Sequence, residues 1–259
     1  MVKFLRKFYM SLIFIFLYAP IIVLIIYSFN ESKSRGHWGG FTLKWYAELF
    51  RDREIIKALY YTFLVALLSS IISTVIGTFS AIGIHNMGLL GKKFALNINY
   101  LPVLNPDIVT GIALMTLFIS LNIQLGFVTM LISHVVFNIP YVILSVLPKL
   151  KQMNKHTTEA ALDLGATPAY ALRKVVIPEI MPGVITGALI AFTLSIDDFV
   201  ISFFNTGPGV TNLSIHIFSM ARKGVKPSIN ALTTLMLLTV VILLLLINKR
   251  TTKGDELIP

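Results

Sequence analysis

Apolar and polar residues follow one another along this chain in long blocks. A helix needs about 20 apolar residues to cross about 30 Å of hydrocarbon, and several blocks reach that length. The stretch 94–148 holds one formal charge, Asp107, but its 55 residues are too many for one crossing, and the polar segment 122–126 divides it. The pattern predicts an all-α membrane protein with six spans, at about 8–29, 58–84, 97–120, 126–147, 183–204 and 228–247.

The first block has two interpretations, a signal peptide or a membrane span. Lys3, Arg6 and Lys7 precede it, as bases precede the apolar core of a signal peptide. Its uncharged run exceeds the length of a signal core, about 7–15 residues, and no small-x-small cleavage site follows it. We therefore expect a retained first span.

The composition points to the same class of protein. Of the 259 residues, 56% are hydrophobic and 13% are charged, whereas about 25% of the residues of an average soluble domain are charged. Mean hydropathy is +0.80. The absence of cysteine excludes thiol nucleophiles, disulfides and thiolate metal sites. We expect a single integral membrane domain over residues 1–259.

The basic residues predict the orientation of the chain. The net charge of +10 would suggest nucleic-acid binding in a soluble protein, but Lys and Arg also accumulate on the cytoplasmic side of membrane proteins. With the N-terminus inside, thirteen of the 22 bases lie on inner segments and nine on outer ones. The bias is clearest in the N-terminal tail and in the loop 148–182. Both termini are therefore expected in the cytoplasm.

The chain lacks the motifs of common enzyme sites. The nearest approach to an ATP-binding P-loop, residues 88–93, has the wrong gap between its glycines and lacks the hydroxyl that would bind magnesium. The five histidines form no His-x-x-x-His pair, and no Gly-x-Ser-x-Gly turn occurs. We expect a non-catalytic chain that binds no cofactor and no metal. An intramembrane acid–base site is the alternative that a motif search leaves open.

The segment 30–57 is rich in aromatic residues. It contains Trp38, Phe41, Trp45 and Tyr46, and Thr42 is placed to cap a short helix over 43–50. An aromatic belt in the membrane interface would explain these residues. A docking site for an external partner is the alternative.

The loop between the predicted fourth and fifth spans has the pattern of two short helices. Thr157 or Thr158 can cap the first helix, and Gly165 suits a left-handed stop. Thr167 and Pro168 then supply a cap and a first-position proline for the second helix. Small residues on the first helix would allow close approach to a groove on another protein. An ordinary basic loop is the alternative, and a DNA-binding helix-turn-helix is disfavoured because both ends of the loop enter the membrane.

This loop resembles the cytoplasmic EAA loop of ABC-importer permeases. The matching pattern is Glu-Ala-Ala, three residues, Gly, nine residues and a closing Ile-x-Leu-Pro, in which Val175 and Ile177 replace the aliphatic pair. The resemblance implies a type I ABC importer permease (MetI-like) fold in which the loop docks onto a separate ATPase subunit. The residues implied in this coupling are Glu159, Ala160, Ala161, Gly165 and Pro178.

The resemblance covers the whole chain and is strongest to the spermidine/putrescine permeases of this family. The strings that carry it are Ala19-Pro20-Ile-Ile, Ser28-Phe-Asn30, Trp45-Tyr46, Pro106-Asp107-Ile-Val, Ser195-Ile-Asp197-Asp198 and Asn230-Ala-Leu. It implies polyamine import across a bacterial cytoplasmic (inner) membrane. It also implies a heterodimer with a sister permease, PotB, two copies of the ATPase PotA, which holds ATP and Mg, and the substrate-binding protein PotD.

Three acids lie within the predicted spans: Asp107, Asp197 and Asp198. Each carboxylate at mid-bilayer costs about 2.5–3.5 kcal/mol on insertion scales, so a function or a structural partner must offset the cost. They could attract a protonated amine while Phe199, Phe203 and Phe204 cover its methylenes. Alternatively, one Asp caps a broken helix or pairs with a base of a sister subunit. A permease for thiamine or a metal ion, and a passive cation channel, also remain open.

Overall fold

The computed structural model describes residues 2–33, 37–223 and 227–255. Regular secondary structure in these ranges is helical, apart from one antiparallel bridge between Asn30 and Phe41. The helices are α1 (Val2–Ser28), α2 (Lys44–Leu49), α3 (Arg53–Asn86), α4 (Leu89–Leu104), α5 (Asp107–Ser120), α6 (Phe127–Gln152), α7 (Lys155–Asp163), α8 (Pro168–Ala171), a π-helical turn (Leu172–Val176), α9 (Ile177–Asp197), α10 (Val200–Asn205), α11 (Leu213–Lys223) and α12 (Pro227–Asp255).

The predicted all-α class is confirmed, and the predicted count of six spans stays a prediction. Four helices in the described residues are long and apolar enough to cross a membrane, over Arg6–Ser28, Arg53–Asn86, Phe127–Gln152 and Pro168–Asp197. The bent pair α4 and α5 makes a fifth if it counts as one span, and the apolar part of α12 is shorter. The chain ends, Met1 and residues 256–259, lie outside the described residues, as do Arg35 and Lys226 of the predicted outer segments.

The predicted span over 97–120 corresponds to two helices that meet at a bend, and whether they form one span stays a prediction. Helix α4 ends at Leu104, α5 begins at Asp107, and the two helices meet at an angle of 104°. The cause is Pro106, because a residue before proline is pushed out of the helical region. Asn105 is accordingly extended, with φ −77° and ψ 146°. Asp107 therefore opens a helix instead of lying in the middle of one.

The prediction for the fifth span also needs correction. The helix that begins at Pro168 continues through the π-helical turn into α9, so one helix of 30 residues runs from Pro168 to Asp197. The predicted second short helix of the loop is thus the first turn of this long helix. The chain then breaks at 198–199 before α10.

The described residues form two compact units, 1–57 with 216–242 and 58–215 with 243–259. The prediction of one permease domain stays a prediction. In the second unit, α6 and α9 pack around Val142, Val146 and Ile180, which are fully buried. Close contact depends on Gly183, because a Cβ there would lie 2.9 Å from the Ser145 carbonyl oxygen. Small residues of this kind allow helices to approach closely in membranes.

In the first unit, Asn30 and Trp45 fix the aromatic segment that follows α1. The indole Nε1 of Trp45 donates to the Asn30 carbonyl at 2.7 Å, and Trp45 is only 4% exposed. The Asn30 side chain accepts from the Gly39 amide at 2.8 Å and donates to the His37 carbonyl at 2.8 Å. Trp45 thus stabilises this segment from inside, whereas Trp38 and Phe41 are exposed and keep both the belt and the docking alternatives open.

Candidate functional site

The break between α9 and α10 places the two adjacent acids in different surroundings. The Asp198 carboxylate accepts hydrogen bonds from the amides of Ile201 at 3.1 Å and Ser202 at 2.7 Å. It thereby satisfies the amides that begin α10, as an N-cap residue does. The Asp198 side chain is 6% exposed, whereas Asp197 is exposed. The structure therefore supports the capping alternative for Asp198, and its role on a substrate pathway stays a prediction.

His134 of α6 lies against this cap. Its ring is fully buried, with Nε2 2.9 Å from the Ser202 hydroxyl and 3.5 Å from Oδ2 of Asp198. The Asn212 side-chain amide donates to the same hydroxyl at 2.7 Å and to the Asp198 carbonyl at 2.9 Å. We call these five residues, His134, Asp198, Ser202, Asn212 and Ser214, the break cluster; the Ser214 hydroxyl donates to the Asp197 carbonyl at 3.2 Å.

A second polar group lies deeper between α3, α6 and α9. The Asn138 amide donates to the Ser195 hydroxyl at 2.8 Å, and that hydroxyl lies 3.1 Å from the Ser69 hydroxyl. All three side chains are buried. Hydrocarbon offers no hydrogen bonds, so helices in a membrane satisfy such groups from one another.

Asp107 and the predicted aromatic residues lie near the same break. Asp107 is exposed at the start of α5, close enough to Asp198 for the two charges to interact. The rings of Phe199 and Phe203 are 5.2 Å apart, and Phe203 is 46% exposed. Phe204 meets Phe203 edge-on at 5.5 Å. Among the described residues, no lysine or arginine forms an ion pair with the three predicted acids.

The first helix of the loop begins earlier than predicted. Helix α7 starts at Lys155, and the Asn154 side chain caps it by accepting from the His156 amide at 3.1 Å. The predicted caps, Thr157 and Thr158, lie inside the helix, because an asparagine three residues earlier offers an equally good cap. Glu159 is exposed, with its carboxylate 3.0 Å from Nδ1 of His156.

The predicted turn of the loop is confirmed. Gly165 has φ +87°, the left-handed conformation expected of a helix stop. Thr167 caps the next helix by accepting from the Tyr170 amide at 3.3 Å, and Pro168 holds the first helical position. Leu164, beside the turn, is 89% exposed.

Concave surfaces flank the loop on both sides. A cavity of about 590 Å³ lies between the loop and the ends of α3 and α6, and Glu159 and Pro168 are among its lining residues. A shallower groove of about 490 Å³ lies at the tip, lined by Ala161, Leu164, Gly165, Ala166, Thr167 and Tyr170. Ala160 is exposed on α7 nearby, whereas Pro178 is exposed in the first turn of α9. The structure thus brings Ala161 and Gly165 onto one surface and Glu159 onto the edge of another.

Sequence reasoning missed His134, Asn138, Ser202 and Asn212. In the sequence, His134 is only a possible metal ligand, and Asn138, Ser202 and Asn212 belong to no recognised motif. A polar residue inside a predicted span is itself a signal, because it needs a partner there. Reading His134 and Asn138 as one polar stripe, four residues apart on a helix, would have pointed to these contacts.

Comparison with known proteins gives three findings. The model of the protein family described as "Binding-protein-dependent transport system inner membrane component" matches residues 73–252. The chain is 40% identical over 234 residues to the spermidine/putrescine transport system permease protein PotC of Escherichia coli K12, covering 90% of this chain and 89% of that one. It is also 40% identical over 231 residues to the putrescine transport system permease protein PotI of the same strain, covering 86% and 82%.

The fold is similar to that of a solved importer. A crystal structure of a bacterial ABC transporter that imports the acidic polysaccharide alginate matches with a TM-score of 0.71, covering 99% of this chain and 96% of that one at 16% identity. At this identity the match shows the fold alone. The expected importer-permease fold is confirmed.

Proposed function

This chain belongs to the family of binding-protein-dependent transport system inner membrane components, and on that premise we propose that it is the permease subunit of an ATP-driven importer of polyamines. The observation that carries the proposal is the 40% identity to PotC over nine-tenths of the chain. The similarity to PotI supports the same class of cationic solute. The chain is a multi-pass membrane protein, and both of its termini face the cytoplasm.

The proposed assembly contains this chain, a sister permease, two ATPase subunits and a substrate-binding protein, the equivalents of PotB, PotA and PotD. ATP and Mg bind to the ATPase, because no P-loop occurs in this sequence. The exposed apolar tip of the loop, at Leu164 and Tyr170, supports docking onto that ATPase. The family's dependence on a binding protein supports the external partner.

Transport proceeds by alternating access. Closure of the two ATPase subunits around ATP moves the loop 157–178, and the long helix that begins at Pro168 carries this motion into the membrane. The pathway lies between this chain and its sister. Exposed carboxylates at Asp107 and Asp197 attract the ammonium groups of the substrate, and Phe199 and Phe203 cover its methylenes.

Uptake of radiolabelled spermidine tests the function directly. The chain is produced with its partner subunits in a bacterium that lacks other polyamine importers, and unlabelled spermidine, putrescine and thiamine compete with the label. We expect uptake that requires ATP and is suppressed by the two polyamines. Uptake of labelled thiamine without uptake of labelled spermidine would assign a different cationic solute, and current without ATP would indicate a passive channel.

Single Asp→Asn changes at the three acids test the cation pathway. We expect Asp107→Asn and Asp197→Asn each to reduce uptake about tenfold, since each loses an interaction of the size of a charge-assisted hydrogen bond. Full uptake in all three variants would contradict a pathway lined by these acids.

A further inference from the structure

We propose that the break cluster is a positioning device, in which His134 and Asp198 fix the bend between α9 and α10 and thereby turn Asp197 toward the substrate pathway. The inference rests on the proposed function only for the identity of the substrate that Asp197 meets. It divides the roles of two adjacent carboxylates: Asp198 organises the backbone, and Asp197 presents a charge.

The first step is that the break finds partners for four of its backbone groups inside the chain. A helix end leaves carbonyls without partners, and a helix start leaves amides without partners. Asn212 and Ser214 donate to the carbonyls of Asp198 and Asp197, at 2.9 Å and 3.2 Å. The Asp198 carboxylate takes the amides on the other side. Irregular backbone at membrane depth is tolerated only with such partners or beside water, so the bend is a built feature of the fold.

The second step is that His134 anchors this bend to α6. The ring is fully buried, and no described residue is within hydrogen-bond distance of its Nδ1. The hydrogen-bond network therefore assigns the proton to Nε2, which then donates to the Ser202 hydroxyl with the Asp198 carboxylate 3.5 Å away. A second tie holds the far end of α10, where the Thr129 hydroxyl donates to the Asn205 carbonyl at 2.8 Å.

The third step is that the side chain of Asp198 is held inside the protein, so the side chain of the adjacent Asp197 is left on the outside. Asp198 is extended, with ψ 126°, so the chain turns sharply just after Asp197. Asp197 is exposed, and among the described residues no other residue donates a hydrogen bond to its carboxylate. An ionised carboxylate in a membrane span faces water or a protein partner and not lipid. Asp197 is thus the member of the pair that can meet a cation.

Thiol labelling tests the positioning without any transport. The chain has no cysteine, so Asp197→Cys gives one reactive site, and a positively charged methanethiosulfonate reagent measures its accessibility in the assembled transporter. We expect rapid labelling of Asp197→Cys. Adding His134→Leu should lower the labelling rate about tenfold, because the cluster loses a hydrogen bond beside a charge. His134→Gln, which keeps a donor, should restore the original rate.

The matched control is Ile119→Cys, an exposed position on α5. Its labelling rate should be the same with His134 and with His134→Leu. A rate at Asp197→Cys that does not respond to His134→Leu, or that responds only together with Ile119→Cys, would overturn the positioning role.

Uptake of spermidine by a crossed set of variants separates the two carboxylates. At Asp198, Asn keeps an oxygen for one of the two capped amides and loses the charge, so Asp198→Asn should retain about half of the uptake or more, since one accepted amide is enough for an N-cap. Asp198→Glu keeps the charge but displaces it from the amides and should lose most uptake. At Asp197 the order of uptake is reversed: Asp197→Glu, which keeps the charge, should take up more spermidine than Asp197→Asn.

Equal damage from Asp198→Asn and Asp197→Asn would overturn the division of roles, because Asp198 would then act through its charge. Failure of the proposed function is distinguishable from this result. A native chain that takes up no spermidine refutes polyamine import, while the labelling experiment still decides whether the break cluster orients Asp197.

Discussion

The α9–α10 break and the loop that contains the EAA motif are both irregular segments. They differ in whether their side chains find hydrogen-bond partners within the chain or are exposed. At the break, Asp198 and Asn212 find partners within the chain and are nearly inaccessible. In the loop, Leu164 and Tyr170 are largely exposed, and Glu159 contacts His156 on its own helix.

The difference follows from the solvent that surrounds each segment. An unsatisfied backbone group in hydrocarbon costs several kcal/mol, so the chain must complete a break in a membrane span by itself. A loop in water carries no such demand and can present apolar side chains to a second protein, as interface cores do. The contacts of the break thus lie within this chain, whereas the exposed side chains of the loop are available to a partner.

The largest expected effect is at the packing between α6 and α9. Gly183→Val introduces a Cβ 2.9 Å from the Ser145 carbonyl, so α6 and α9 must separate. We expect a loss of about 3 kcal/mol of stability, the upper end for overpacked cores, measured as a lower Tm of the purified protein. Gly83→Val is the control, since a Cβ at Gly83 meets nothing within 4 Å. Equal losses at both glycines would contradict the packing described for α6 and α9.

The next largest effect is the loss of stability at a buried histidine, His134, and an exposed histidine, His156, is its control. His134→Leu removes the Nε2 donor of the Ser202 hydroxyl, which lies beside the Asp198 carboxylate, and this loss should cost about 1.5 kcal/mol and lower the Tm. The same substitution at His156 in the loop should change stability by less than about 0.5 kcal/mol, as exposed sites do. Similar changes at the two positions would remove the contrast between the break and the loop.

A charge reversal in the loop should affect coupling and leave folding intact. Glu159→Arg changes an exposed side chain, so membrane yield and Tm should stay unchanged. Placing the wrong charge against a partner costs more than 1.4 kcal/mol, and ATP-driven uptake should fall by about tenfold or more. Asp163→Arg, later on α7 at one of the three unspecified positions between Ala161 and Gly165, is the control. An equal loss of uptake with Asp163→Arg would show a general effect of charge on this helix.

The smallest effect concerns the turn of the loop. Gly165→Ala forces a side chain into the left-handed region, at a cost of about 1 kcal/mol. We expect a small decrease in uptake and a decrease of a few degrees in Tm. Gly91→Ala, inside α4, is the matched control and should stabilise the protein slightly, by about 0.5–1 kcal/mol. A loss of uptake with Gly91→Ala that equals or exceeds the loss with Gly165→Ala would contradict a role for the turn.

The sequence predicted those features that depend on local rules. Apolar runs located the long helices because burial in lipid is set by composition, and Gly165, Thr167 and Pro168 marked the turn because their backbone preferences are strong. The same local rules gave the wrong N-cap for α7. Asn154, Thr157 and Thr158 are all suitable cap residues, and the structure uses Asn154.

The features that the sequence did not predict depend on contacts between distant segments. Asp198 and His134 are 64 positions apart, and nothing in the apolar pattern links them. Asn212, after α10, completes the break from a third segment. Likewise, the sequence alone groups Trp45 with the interfacial aromatic residues, and only the structure reveals its hydrogen bond to Asn30.

The most direct test of the account is whether the loop has a protein partner. Because the chain has no cysteine, Leu164→Cys supplies a single thiol at the most exposed point of the loop, and its reaction with maleimide can be followed with and without the ATPase subunits. We predict rapid labelling of the chain alone and a reduction of about tenfold or more when the ATPase is bound, since interface cores exclude solvent. An unchanged labelling rate in every nucleotide state of the assembled transporter would contradict the coupling role of the loop.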